Sequence, residues 1–250
     1  MLLAIAFCPS PPLLVPELAA GAAAELDPLR TACREAVRRL LAVAPDEVVV
    51  IATGPVSSQF PAGTTGSLAG YGVPVTATLP RAAARPATDG TVPREAHYAL
   101  GPVGAVAAAV PPGVTLGAWL LAGAGVPCSA FAVGPDADPA DFGRALDLTD
   151  RRRALLVMGD GSARRTERAP GYVDPRAAAF DAAVAAALAT ADAPALAALD
   201  PALGADLLAD GVPAWRVAAH AAAGASYQAE LLFDAAPYGV GYLVATWLAR

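Results

Sequence analysis

Four short segments hold most of the residues that could do chemistry: Cys8-Pro9-Ser10-Pro11-Pro12, Thr53-Gly54-Pro55, Gly159-Asp160-Gly161-Ser162 and Asp234-Ala235-Ala236-Pro237-Tyr238-Gly239. Each follows a short apolar run of the kind that forms a buried strand. Ligands of open α/β sheets sit outside the carboxyl ends of the strands, so segments that share one edge define one pocket. Hydroxyls at Ser10 and Ser162, carboxylates at Asp160 and Asp234 and bare backbone at Gly54 would then line it. Such a set suits the holding of a small polar molecule. The plainer reading, that Pro, Gly and Asp are turn formers, stands beside it.

Imidazole is scarce. His97 follows Pro93-Arg94-Glu95 in a polar stretch and reads as exposed, and His220 reads as a helix-face residue in the Ala-rich segment from Pro213. A metal triad of both with Asp234 or Asp160 would leave no histidine for proton transfer. The odd set Cys8, Cys33 and Cys128 has no CxxC spacing, which predicts core thiols in a reducing cytoplasm rather than a zinc site. Arg164, Arg165 and Arg168 could take an anion, or could balance Asp160, Glu167 and Asp174 on a solvated face. Gly63-Thr64-Thr65-Gly66-Ser67 lacks the lysine of a phosphate-binding loop and reads as a plain loop. Ser162 lacks the second glycine of a nucleophile elbow. Trp119, Trp215 and Trp247 are spaced for core packing.

The elements that must position these residues follow from the apolar pattern. Residues 2–8, 48–52, 128–133 and 154–158 read as buried strands, residues 74–79 as an alternating strand, and residues 230–233 and 242–246 as a final pair. Leu29, Cys33, Val37, Leu40 and Leu41 stripe a helix that ends near Ala44-Pro45. Helices are expected over 114–124 and 139–148, from the Asp174-Pro175 pair, from Asp200-Pro201 to Asp210-Gly211, and from Pro213 to Gly224. Residues 81–96, rich in Pro, Arg and Gly, read as a surface excursion. The sum is one α/β domain over residues 1–250, with a largely parallel or mixed central sheet flanked by helices. Residues 2–8, 48–53, 128–133 and 154–158 are expected to be neighbours in that sheet.

Composition narrows the classes. The chain has 250 residues, 56% hydrophobic and 16% charged, which excludes disorder. All of its 17 basic residues are arginine, and its net charge is −6, so no nucleic-acid footprint is expected. The segment Met1 to Cys8 lacks a basic start and places Phe7 before the cysteine, so it reads as a strand and not as a lipoprotein leader. With no apolar run of about 18 residues, neither a membrane span nor a membrane partner is expected.

The same four segments carry a family resemblance. Gly159-Asp160-Gly161-Ser162-Ala163-Arg164-Arg165, followed by Ala169-Pro170-Gly171-Tyr172, Pro175 and Phe180-Asp181, resembles the Gly-Asp-Leu-Ser-His segment and downstream Phe-Asp of LigB-like and Memo-like proteins. Ala236-Pro237-Tyr238-Gly239-Val240-Gly241-Tyr242 is similar to their Ala-Pro-Phe-Gly-Val-Gly-Tyr ending. The start Pro9-Ser10-Pro11-Pro12-Leu13-Leu14 resembles a Pro-His-Pro-Pro-Leu opening, and residues 48–55 a strand leading into Pro-His-Gly. The resemblance is to the subunit-B type of class III extradiol dioxygenases and spans nearly the whole chain.

That resemblance implies ring opening of a catechol by dioxygen at ferrous iron held by two histidines and a carboxylate. It puts the first histidine at Ser10, the second at Gly54, the carboxylate on or near Ala235, and an acid–base histidine at Ala163. None keeps the required side chain, and a slip of one residue restores only Asp234. The expectation is therefore a metal-free relative without catalytic residues, with no cofactor, whose pocket of Ser10, Gly54, Asp160, Ser162 and Asp234 binds a small molecule, or whose surface binds a partner. The alternative is an active Fe(II) dioxygenase with displaced ligands. Hydrolysis through Ser10 or Ser162 ranks last, since no motif brings a histidine to either.

Overall fold

The computed structural model describes residues 1–82, 109–147 and 151–250. The surface excursion expected over 81–96 lies, beyond Ala82, outside the described residues, as do His97 and Leu148. The first half of the chain forms β1 (Leu2–Cys8), α1 (Pro16–Ala19), α2 (Asp27–Ala42), β2 (Glu47–Thr53), β3 (Ser58–Phe60), β4 (Thr65–Ser67) and β5 (Thr76–Thr78). Next come α3 (Pro112–Leu120), β6 (Cys128–Val133), α4 (Pro139–Asp147) and β7 (Arg153–Met158). The last part forms α5 (Ala177–Thr190), α6 (Ala193–Ala197), α7 (Pro201–Asp206), α8 (Val212–Ala222), β8 (Tyr227–Ala235) and β9 (Tyr242–Ala249).

One mixed sheet of seven strands runs through the molecule in the order β3-β6-β2-β7-β1-β9-β8. Its middle is parallel: β6 pairs β2, β2 pairs β7, and β7 pairs β1. The four strands expected to be neighbours are these four. Both edges turn antiparallel, through β3 on β6 and through β9 and β8 beyond β1. Every residue of β6 and β7 is buried, as expected of parallel strands covered on both faces.

The side-chain period of 2 sorts the core into two layers. Ala4, Ala6, Cys8, Val48, Val50 and Ala52 pack with α2 and α3 on one face. Ile5, Phe7, Val49, Ile51, Leu155 and Val157 pack with α5 and α8 on the other. Each fully buried Val, Leu, Ile or Phe contributes about 1.5–3 kcal/mol, and a one-residue slip would swap all of them between layers. The register is thereby fixed, and with it the edge at which β1, β2 and β7 end. Trp247 anchors the second layer: its ring meets Phe7 edge-on at 5.0 Å, and its Nε1–H donates to the Leu188 carbonyl at 2.7 Å.

Several local expectations are corrected. Thr65–Ser67 is not plain loop: β4 pairs with β5 in a separate two-stranded sheet, so residues 74–79 supply a strand outside the central sheet. The helix expected at Asp174-Pro175 begins at Ala177, because residues 174–176 first make a turn in which the Asp174 carboxylate accepts the Arg176 N–H at 2.9 Å. Asp200 does cap α7 through the Ala202 N–H, but α7 ends at Asp206 and not at Asp210-Gly211. Among the described residues no helix is long and apolar enough to cross a membrane.

Candidate functional site

The carboxyl ends of β1, β2 and β7 meet at a cleft of about 220 Å³, lined by Ser10, Thr53, Tyr71, Met158, Asp160 and Asp210 among others. Ser10 and Asp160 are side by side because β1 and β7 are paired and both chains turn at the same level, with the Gly159 N–H bonded to the Cys8 carbonyl at 3.0 Å. Thr53 ends β2 on the other side of β7. Asp210 comes from the loop before α8. Thr53 Oγ1 donates to its carbonyl oxygen at 2.5 Å, and the Gly211 N–H donates to the Asp160 carbonyl at 3.0 Å.

Two carboxyl groups therefore share one cleft through a relay of short bonds. The Ser10 N–H donates to Asp160 Oδ1 at 2.6 Å, and the Asp160 N–H donates to Asp210 Oδ1 at 2.6 Å. Burial first, and then the neighbouring Asp210 charge, push the Asp160 carboxyl well above the usual carboxylate range, against the Ser10 bond. Asp210 stands exposed at the cleft mouth, yet crowding by the surrounding protein raises its carboxyl as well, against the Asp160 N–H bond. Burial raises the Tyr242 hydroxyl as well, helped by the Asp160 charge. The cleft thus favours a proton or another positive charge between the two carboxyls.

Of the residues expected to line one pocket, Ser10 and Asp160 do, and Gly54, Ser162 and Asp234 do not. Gly54 faces β6: a Cβ there would lie 2.7 Å from the Ala132 Cβ and 3.2 Å from Pro111 Cγ. Ser162 is fully buried beneath the loop, its hydroxyl donating to the Leu207 carbonyl and accepting from the Arg164 N–H, both at 3.1 Å. Asp234 is exposed on β8 opposite Leu243, which packs in the α5–α8 layer, so its carboxylate shares that face and adds to the charge around Asp181. It also lies two strands from β1, about 10 Å at ordinary strand spacing.

Sequence reasoning missed Asp210, Thr53, Tyr71 and Tyr242. Asp210-Gly211 carries the signature of a helix end, and no strand precedes it, so nothing local marks it as a cleft residue. Gly159 offers the one available signal. A Cβ at this position would lie 2.3 Å from the Gly211 Cα, so glycine there reports a close backbone approach.

The other candidate groups are spoken for. Arg165 pairs with the buried Asp181 at 3.3 Å, so the three loop arginines form no common anion site. All three cysteines are free and buried. Burial and the Glu47 charge push the Cys128 thiol to about 12, and contact with Cys33 followed by burial raises Cys8, which removes both as nucleophiles near neutrality. His220 lies in the last turn of α8, against Gly143 of α4, away from the cleft.

The described residues at the positions that the resemblance names do not fit a ferrous centre. Ser10 is bonded into the carboxyl pair, Gly54 has no room for a side chain, and Ala235 and Ala163 offer methyl groups. Asp234 cannot substitute for Ala235, since adjacent residues on a strand face opposite ways. Among the described residues, no three His, Cys, Asp or Glu side chains are grouped to hold a metal ion.

Fold and site together define an α/β protein with a strand-end cleft built around a carboxyl pair. No family model matches the chain, and no curated protein matches it. Among solved structures it is similar to an uncharacterized protein from Escherichia coli K12, at 12% identity and a TM-score of 0.47, over 98% of this chain and 99% of that one.

Asp160→Asn is expected to stabilise the protein near pH 8. Asparagine keeps Oδ1 for the Ser10 N–H and removes a charge that burial disfavours. A carboxyl whose folded pKa is raised loses stability as pH rises through that value, so the gain belongs to the alkaline side. The expected size is about 0.5–2 kcal/mol near pH 8, shrinking towards zero below about pH 4. Urea denaturation at both pH values checks this. A less stable variant at pH 8 would mean that the Asp160 charge is compensated in the protein.

Proposed function

We propose that this chain is a divergent relative of the LigB-type class III extradiol dioxygenases, catalytically silent and free of bound iron, whose strand-end cleft holds a small molecule. One observation carries the reading. Ser10, which stands where the resemblance asks for the first iron-binding histidine, is bonded through its N–H to Asp160, whose own N–H bonds Asp210. The position that should bind metal is committed to organising a carboxyl pair. Gly54 and Ala235 supply no side-chain donor that could compensate, and Ala163 supplies no acid–base group. At about 220 Å³ the cleft lies below the range of about 300–1,000 Å³ usual for drug-sized ligands, which favours a small and polar occupant.

The test is turnover. After anaerobic incubation with ferrous iron, the chain should give no catechol-dependent oxygen uptake above a free-iron blank. Loss of the acid–base histidine alone lowers such a rate by about 10²–10⁴-fold. Oxygen uptake that requires both catechol and protein would overturn the reading in favour of a dioxygenase with displaced ligands, with His97 and His220 the first residues to replace.

A further inference from the structure

The cleft has a sign as well as a shape. Two carboxyl groups, from the loop after β7 and the loop before α8, face one cavity, and among the described residues the hydrogen bonds they accept there come from two backbone N–H groups, those of Ser10 and Asp160. The described residues lining it include no arginine or histidine, and the chain has no lysine. Each carboxylate can accept about four hydrogen bonds, which leaves acceptor capacity open towards the cavity. The walls are different in kind. Pro112 and the exposed Tyr71 ring offer apolar surface suited to an organic body rather than to a hydrated metal ion.

Resting on the reading of the cleft as a ligand site, we infer that its ligand is a small organic cation, a primary ammonium or amidinium group on a compact apolar body, with its N–H donors on Asp160 and Asp210. Such a ligand supplies positive charge and N–H donors to the pair, and its body lies against Pro112 and Tyr71. An anion meets two carboxyls, and a neutral alcohol leaves their charge unbalanced.

The groups that face the pair are Tyr242 on β9, with Tyr238 near it, and Tyr71 at the mouth. In the free protein desolvation raises both carboxyls, and the Asp210 charge raises Asp160 further, so the pair tends to keep a proton. A bound cation lowers both again and releases that proton. Binding should therefore weaken as pH falls through the titration of the free pair, by up to about tenfold per pH unit for one displaced proton.

Isothermal titration of the full chain with benzylammonium, in buffers of different ionisation enthalpy, tests this, with benzyl alcohol, benzoate and calcium as comparison probes. Benzylammonium should bind at least tenfold more tightly than benzyl alcohol, release protons, and lose at least tenfold in affinity in both Asp160→Asn and Asp210→Asn. The proton release is read on the unmodified chain and stands even where a variant folds poorly. Benzyl alcohol or benzoate binding as tightly as the ammonium overturns the cationic class and leaves the cleft as a ligand site. Calcium binding without the ammonium overturns the organic class. Silence from all four probes overturns the inference, while the oxygen-uptake result decides the wider reading separately.

Discussion

Gly159→Ala is expected to cost the protein about 3 kcal/mol, at the upper end of ordinary overpacking, and to take the carboxyl pair apart. The added methyl would lie 2.3 Å from the Gly211 Cα and 3.1 Å from the Gly211 nitrogen, and neither contact is with a side chain that can swing away. One side is the end of β7, held to β1 through the Cys8 carbonyl, and the other is the entry to α8, held to Asp160 through the Gly211 N–H. Relief requires the two backbones to separate, which carries Asp210 away from the Asp160 N–H. Chemical denaturation should show the loss, and a Tyr71→Phe control at the exposed mouth should change stability by no more than about 0.5 kcal/mol. A Gly159→Ala protein of unchanged stability would mean that the loop before α8 is free to move.

Asp181→Ala should be of similar size, about 2–3 kcal/mol, while Asp181→Asn should cost much less. Asp181 is fully buried at the start of α5, where its carboxylate accepts the Ser162 N–H at 2.7 Å and meets the Arg165 guanidinium at 3.3 Å. It is also wedged between two glycines: a Cβ on Gly161 would lie 2.7 Å from Oδ1, and one on Gly241 2.2 Å from Oδ2. The carboxylate thus clamps the loop after β7 to the turn before β9. Alanine leaves the Ser162 N–H buried without an acceptor, whereas asparagine keeps one. Burial raises the Asp181 carboxyl despite the Ser162 bond and the Arg165 charge, so its ionisation opposes folding. By linkage, the stability difference between the unmodified chain and Asp181→Asn shifts in favour of asparagine as pH rises. Equal losses for the two substitutions, measured by denaturation at neutral pH, would show that charge and not the acceptor holds the clamp.

These residues show what can be read from a sequence of this kind. The four central strands are legible because parallel strands covered on both faces must be almost wholly apolar, as 154–158 is and as 128–133 is but for Ser129. Ser10 and Asp160 follow from them, since each comes directly after a strand that ends at one edge. β3 and β4 are three residues each, and their polar stretches carry no periodicity to detect. Asp234 misleads because its position along the chain is right and its face is wrong, a parity that only the pairing with Leu243 decides. Ser162 misleads for the opposite reason: its hydroxyl serves the loop's own backbone. Asp210 is invisible because the contact that makes it a cleft residue joins positions 160 and 210, fifty residues apart in the chain.

The central claim, a strand-end cleft organised by a carboxyl pair in place of an iron site, is tested most directly by iron stoichiometry. The purified chain is incubated anaerobically with excess ferrous iron, desalted under the same atmosphere, and assayed for metal. Losing even an outer partner of a metal ligand typically lowers affinity by about 10–100-fold, and the positions that the proposed kinship assigns to the first ligands hold Ser10, Gly54 and Ala235. The account predicts iron at trace levels, unchanged in Asp160→Asn. Near-stoichiometric iron that survives desalting and is lost on replacing His97 or His220 would contradict it.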